Sequence, residues 1–153
     1  MSDTFDAAVF EQMVIDQANE TKTTPVPVGD YEAMIDKVRV KSVKLSKGDR
    51  AGTEVPILEV TFHIDDDKVA EQLNRDKVLS RMDIWLDVEG GALAVGPNKN
   101  VRLGRLREAV GMNKPGKSFS FMQLEGAGPV KVQVNHRTVN EDVYDEVVGV
   151  AAA

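Results

Sequence analysis

A chain of 153 residues, 42% of them apolar, is long enough to bury a core of its own and reads as one domain with extensions. It has no cysteine, which excludes disulfides, thiolate metal sites and cysteine nucleophiles, and its two histidines, His63 and His136, lie far apart. The net charge of −6 is unevenly placed: residues 1–30 carry six carboxylates against Lys22, residues 140–153 carry four and no base, and the body between is +3.

No cofactor or metal is expected from this inventory. No signal-peptide pattern opens the chain, and no apolar run approaches the roughly 20 residues that span a bilayer. The expectation is a cytoplasmic protein without a membrane partner.

Residues 4–18 contain no Gly or Pro and predict a helix. Phe5, Val9 and Met13 lie on one side, Phe10 and Val14 on another. That apolar surface is too broad for a solvated helix, so it is expected to pack on the body or on another subunit. Residues 19–29 form a polar, proline-containing linker. Residues 1–28 are therefore set apart as an acidic helix and linker, ahead of a body at 29–139.

Tyr31 to Lys47 alternates apolar and polar residues in three phases: Tyr31, Ala33 and Ile35; Val38 and Val40; Val43 and Leu45. A one-residue slip flips every side chain unless an extra residue absorbs it, so two bulges are predicted in one long, bent strand. Such a strand turns the corner of a small barrel. Its outer face carries Lys37, Arg39, Lys41, Lys44 and Lys47, a basic stripe that points towards nucleic acid.

The turn from Lys47 to Glu54, with Arg50, predicts a hairpin into strand two, Ile57 to Ile64. Asp65, Asp66 and Asp67 predict the cap of a short helix over 68–75, whose dipole favours acid there. Calcium ligands would alternate around a glycine turn, and these do not. Strand three is predicted over 77–88, with Arg81 and Trp85 facing out. An outward tryptophan beside an arginine is a base-stacking platform. The competing expectation is that the N-terminal helix covers Trp85.

Glu89 to Pro97 is a glycine-rich loop without the Lys-Ser/Thr ending of a phosphate-binding loop. Residues 98–111 predict a helix with Asn98 as N-cap and Gly111 as stop. Its buried stripe is Leu103, Leu106, Ala109 and Val110, and Arg102, Arg105 and Arg107 read as solvated. Residues 119–124 fit either a short strand or a helical turn. Val130 to Val139 predicts a strand with Lys131 and Arg137 outward. The acidic segment 140–153 allows one added short strand.

The expected fold is mostly β: five strands, one helix before the last strands, and an N-terminal helical extension. That order matches the OB-fold, a five-stranded Greek-key barrel. Several motifs also occur in a suggestive order. Val28-Gly29-Asp30-Tyr31-Glu32-Ala33 leads into the lysine-rich strand. Leu58-Glu59-Val60-Thr61-Phe62, Ala109-Val110-Gly111, Leu124-Glu125-Gly126 and Val143-Tyr144-Asp145-Glu146-Val147 follow. Over 28–150 the chain resembles the small single-stranded DNA-binding proteins encoded in bacteriophage replication modules. The resemblance implies an OB barrel, non-enzymatic binding of single-stranded DNA, and partners among phage or host replication and recombination proteins in the infected bacterial cell.

The expected phosphate contacts are Lys37, Arg39, Lys41, Lys44, Lys47, Arg50, Arg81, Lys131 and Arg137, with Trp85 stacking on a base. Homo-oligomerisation through the N-terminal helix is a further expectation. The alternative is a protein-interaction or structural module, such as a virion or scaffold component, whose basic face is ordinary solvated strand.

Overall fold

The computed structural model describes residues 5–153. In chain order its elements are α1 (Ala7–Glu11), β1 (Gly29–Lys44), β2 (Glu54–Ile64), α2 (Asp67–Leu73), β3 (Val78–Trp85), β4 (Val88–Glu89), β5 (Ala92–Leu93), α3 (Val101–Ala109), a 3-10 turn (Phe121–Leu124), β6 (Val130–Val139) and β7 (Asp142–Ala152). Five strands form one antiparallel sheet in the order β3–β2–β1–β6–β7, and β4–β5 is a separate hairpin. Among the described residues, no helix is long and apolar enough to cross a membrane.

The long first strand is present, with one bulge rather than two. Ile35 faces Phe62 and Lys37 faces Thr61, so Asp36 is the extra residue that absorbs the slip. β1 pairs with β6 over Gly29–Ala33 and with β2 from Ala33 to Lys44, so the bulge lies just past the point where the strand passes from one partner to the other. No second bulge forms, because Val43 meets Val55 in unbroken register and Leu45 leaves the strand to close the hairpin loop with Thr53 and Gly52. Val40, expected inside, is exposed: β1 beyond Val38 runs past the core.

Alternation on β2, β3 and β6 buries Leu58, Val60, Phe62, Val78, Met82, Ile84, Val130, Val132 and Val134 on one face of the sheet. Leu103 and Leu106 of α3, and Leu124 of the 3-10 turn, cover that face. Each such side chain contributes about 1.5–3 kcal/mol on burial. Residues 121–124 form a helical turn, fixed by the reciprocal Ser120–Gln123 cap. The fifth sheet strand is therefore the acidic C-terminal segment itself, paired with β6 along its whole length.

The sheet curls until its two edges approach each other. Ser80 of β3 donates to Asp145 Oδ1 of β7 at 2.6 Å. No backbone ladder joins these edges among the described residues, so the sheet is curled but not closed. Residues 21–28 lie over this seam as a strap, not as the polar linker expected. Val26 is fully buried, its N–H donates to Asp145 Oδ2 at 2.9 Å, and its carbonyl lies 2.7 Å from His136 Nε2. Arg75 donates to the Thr24 carbonyl at 2.9 Å, and Lys22 pairs with Asp142 at 2.6 Å.

The N-terminal helix departs furthest from expectation. Thr4 lies outside the described residues, and only Ala7–Glu11 is helical. Every residue from Phe5 to Glu20 is exposed, so the body buries none of the segment, and Trp85 is left 51% exposed. Isolated helices shorter than about 12–15 residues are marginal, and the β-branched Val14 and Ile15 weaken this one further. At α2 the expected cap is present: Asp66 accepts from the Val69 N–H at 3.0 Å. The glycine-rich loop contains β4–β5, turned by Gly90 and Gly91 at φ 59 and 76.

Candidate nucleic-acid interface

The outward phase of β3 presents Arg81, Asp83 and Trp85 in a row. Cross-strand register sets them opposite Thr61, Glu59 and Ile57 of β2. Trp85 is 51% exposed, whereas Ile57, flanked by Trp85 and Lys41, is buried. An indole that rests on apolar surface and keeps most of the rest in water is free to receive a second ring.

A groove of about 900 Å³ runs along the seam between β3 and β7. Glu59, Arg81, Asp83 and Trp85 line it from the β2–β3 face, Arg102 from α3, and Arg137 and Tyr144 from β6 and β7. Arg137 and Tyr144 are cross-strand partners, and Tyr144 is more than half exposed. The strap contributes Lys22 to Pro25, with Arg75 behind it.

Arg102 reaches the groove because Asn100 fastens the start of α3 to the end of β3. The Asn100 side-chain oxygen accepts from the Asp87 N–H at 2.8 Å, and its amide donates to the Asp87 and Ala94 carbonyls at 2.9 Å each. Asn100, not Asn98, is the N-cap, and it sits at φ 49 to make these bonds. Arg102 Nη1 then lies 3.3 Å from the Asp83 carbonyl. At the other end Gly111, at φ 72, stops the helix as expected.

Beside the groove, Glu59 organises the outer cations. Arg39 Nε and Lys41 Nζ donate to it at 2.9 Å each, Arg81 Nε lies at 4.0 Å, and Lys41 also reaches Asp83 at 3.1 Å. Hydrogen bonds from Arg39 and then Lys41 hold the Glu59 carboxyl down at about 2. The same bond to Glu59 raises the Lys41 ammonium above its ordinary value. Three cations are thus offset by two carboxylates before any ligand arrives.

Of the expected contact residues, the fold brings Arg81, Trp85 and Arg137 into the groove. Arg39 and Lys41 lie on the adjoining face, and Lys37 shares a cross-strand row with Thr61 and Arg81. Lys44, Lys47 and Arg50 are exposed around the β1–β2 hairpin. Lys131 is the exception. It sits opposite Glu32, six positions along β6 from Arg137, a separation of about 20 Å along a strand.

Sequence reasoning missed Lys22, Arg75, Arg102 and Tyr144 as groove residues. Tyr144 alone carried a signal, as an aromatic in an alternating run; the others meet only through tertiary structure. Arg107, read as solvated, lies 4.3 Å over the Phe119 ring and donates to the Met112 carbonyl at 3.0 Å. The groove is electrically mixed: Lys22, Arg75, Arg81, Arg102 and Arg137 share it with Glu59, Asp83, Asp142, Asp145 and Glu146. Among the described residues, Arg102 and Arg137 form no ion pair, which leaves their charge available. In comparisons with known proteins, the chain matches no protein-family model and no curated sequence.

Proposed function

We propose that this chain binds single-stranded DNA without strong sequence preference, along the seam groove of an OB-type barrel. Followed around the curl, the strands run β1–β2–β3–β7–β6 and back to β1, with a helix between β3 and β6. That is the strand order of an OB-fold, in which the face of strands two and three and two flanking hairpin loops bind oligonucleotides. The corresponding parts here carry Trp85 and Arg81 on the face, Lys44, Lys47 and Arg50 around one hairpin, and Arg137 and Tyr144 beside the other.

The observation that carries this reading is Trp85, half exposed on the outer face of β3 in a groove that Arg81, Arg102, Arg137 and Tyr144 also line. Aromatic faces stack on bases of any sequence at about 1–3 kcal/mol each, and the arginines supply phosphate contacts. Because Glu59 and Asp83 already engage part of the basic face, about three to four phosphates are neutralised in net terms. That corresponds to a slope of about −2 to −3 in log affinity against log salt for a single strand. The resemblance to phage proteins supports a role for this activity in replication or recombination. Titration of a labelled oligothymidine, read also by quenching of Trp85, tests it.

A second reading, a protein-interaction module, is favoured by the five groove carboxylates, which would suit a basic peptide. Failure to bind oligothymidine at low salt would favour that reading.

A further inference from the structure

The N-terminal arm exposes Phe5, Val9, Phe10, Met13, Val14 and Ile15, and Phe5 stacks on Phe10 at 5.3 Å. Asp6, Glu11 and Asp16 are interleaved with them, and no base occurs from Phe5 to Glu20. An acidic, strongly apolar segment in water is unstable as a free surface.

A second groove, of about 640 Å³, lies between the β4–β5 hairpin and α3. Part of its apolar lining is itself exposed: Leu93, Val95 and Val101 at 42%, 89% and 45%. Lys99, Arg105 and Arg107 line it against one acid, Glu108, and Lys99 is also paired with Glu89 at 3.3 Å. Apolar surface with basic charge on this groove complements apolar surface with acidic charge on the arm.

We propose that the arm of one copy docks in the α3/β4–β5 groove of a second copy. Two aromatic side chains bury about 150–250 Å² each. With the four aliphatic side chains, one docked arm approaches the ~800 Å² per partner of a standard interface, and reciprocal exchange doubles it. The occupant comes from a second copy because the strap roots the arm on the seam side. α3 stands between the two grooves, with Arg102 lining the seam and Arg105 lining the other. Within one chain every arm residue from Phe5 to Glu20 is left exposed. This inference stands apart from the DNA-binding reading and uses none of its residues except α3 as a wall.

The test is sedimentation velocity of the full-length chain over a concentration series, with circular dichroism as the fold control. Phe10→Asp and Val95→Glu alter exposed side chains that no core contact needs, so both variants remain folded. The wild type is expected to self-associate, and Phe10→Asp, Val95→Glu and Arg105→Glu each to weaken association at least about tenfold, or 1.4 kcal/mol. Adding Glu11→Lys to Arg105→Glu should recover part of the loss by restoring opposite charges. A wild type that stays monomeric overturns the proposal, including a monomer in which proteolysis shows the arm folded back on its own groove. Loss of association with Phe10→Asp but not with Val95→Glu or Arg105→Glu also overturns it, since the arm would then dock elsewhere.

Discussion

Asp145 holds the seam together, and its replacement by alanine should be far more damaging than its partly buried position suggests. The carboxylate accepts the Ser80 hydroxyl at 2.6 Å and the Val26 N–H at 2.9 Å. Both donors belong to buried residues, Ser80 at 2% and Val26 at 0% exposure. A buried donor left without a partner costs about 1–3 kcal/mol, so the two together cost about 2–6 kcal/mol, the lower end applying if the hydroxyl finds another acceptor. At about 2–4 °C per kcal/mol for a chain of this size, Tm should fall by about 4–24 °C. Asp145→Asn keeps one acceptor and should lose less. Thermal melts of Asp145→Ala, Ser80→Ala and the double variant measure the coupling, which should be at least about 0.5 kcal/mol. A fall of less than about 2 °C, or full additivity of the two changes, would refute the claim that this carboxylate bridges β3, β7 and the strap.

Three further outcomes are expected. Trp85→Ala should leave Tm within a few degrees of the wild type while weakening oligothymidine binding by about 1–3 kcal/mol; an unfolded variant would make the indole a core residue. Glu59→Gln should free Arg39 and Lys41 and tighten single-strand binding at low salt by about 2–10-fold, the worth of one or two surface pairs. Its folded pKa of about 2 lies below the ordinary 4.5, so Glu59 contributes stability above pH 4.5 that is lost as pH falls towards 2. Acid titration by circular dichroism should therefore show a shallower loss in Glu59→Gln over that window, and an unchanged acid limb would contradict the ion-pair assignment. Finally, Arg137→Glu should weaken binding at least about fivefold while Lys131→Glu changes it by less than about twofold; equal effects would move the binding face away from the seam.

The strands that alternate cleanly were legible in the sequence. β6 begins and ends where its valines predict, and the slip at Asp36 marks the bulge in β1. β7 was harder, because its register with β6 shifts between Gln133 and Val134, which breaks the period of two around Val147 and Val148. Its carboxylates read only as an acidic segment with room for one short strand, although Asp145 accepts from both β3 and the strap. The strap was illegible for a different reason. Val26 is buried by partners 110 and 119 positions away, and nothing local distinguishes it from a linker valine. The N-terminal helix was over-read, since apolar residues without breakers do not make a helix when nothing packs on them. On the candidate interface, alternation was enough to turn Arg81 and Trp85 outward. Arg102, Lys22 and Arg75 join them only because Asn100 and the strap bring distant segments together.

The proposal that the seam groove of this curled sheet takes single-stranded DNA is decided by fluorescence titration. Oligothymidine and a duplex of the same length are compared at low and high salt. The single strand is expected to bind at least about tenfold tighter than the duplex, to quench Trp85, and to lose affinity with a log–log salt slope of about −2 to −3. Equal binding to duplex, binding without salt dependence, or no binding at low salt would contradict it.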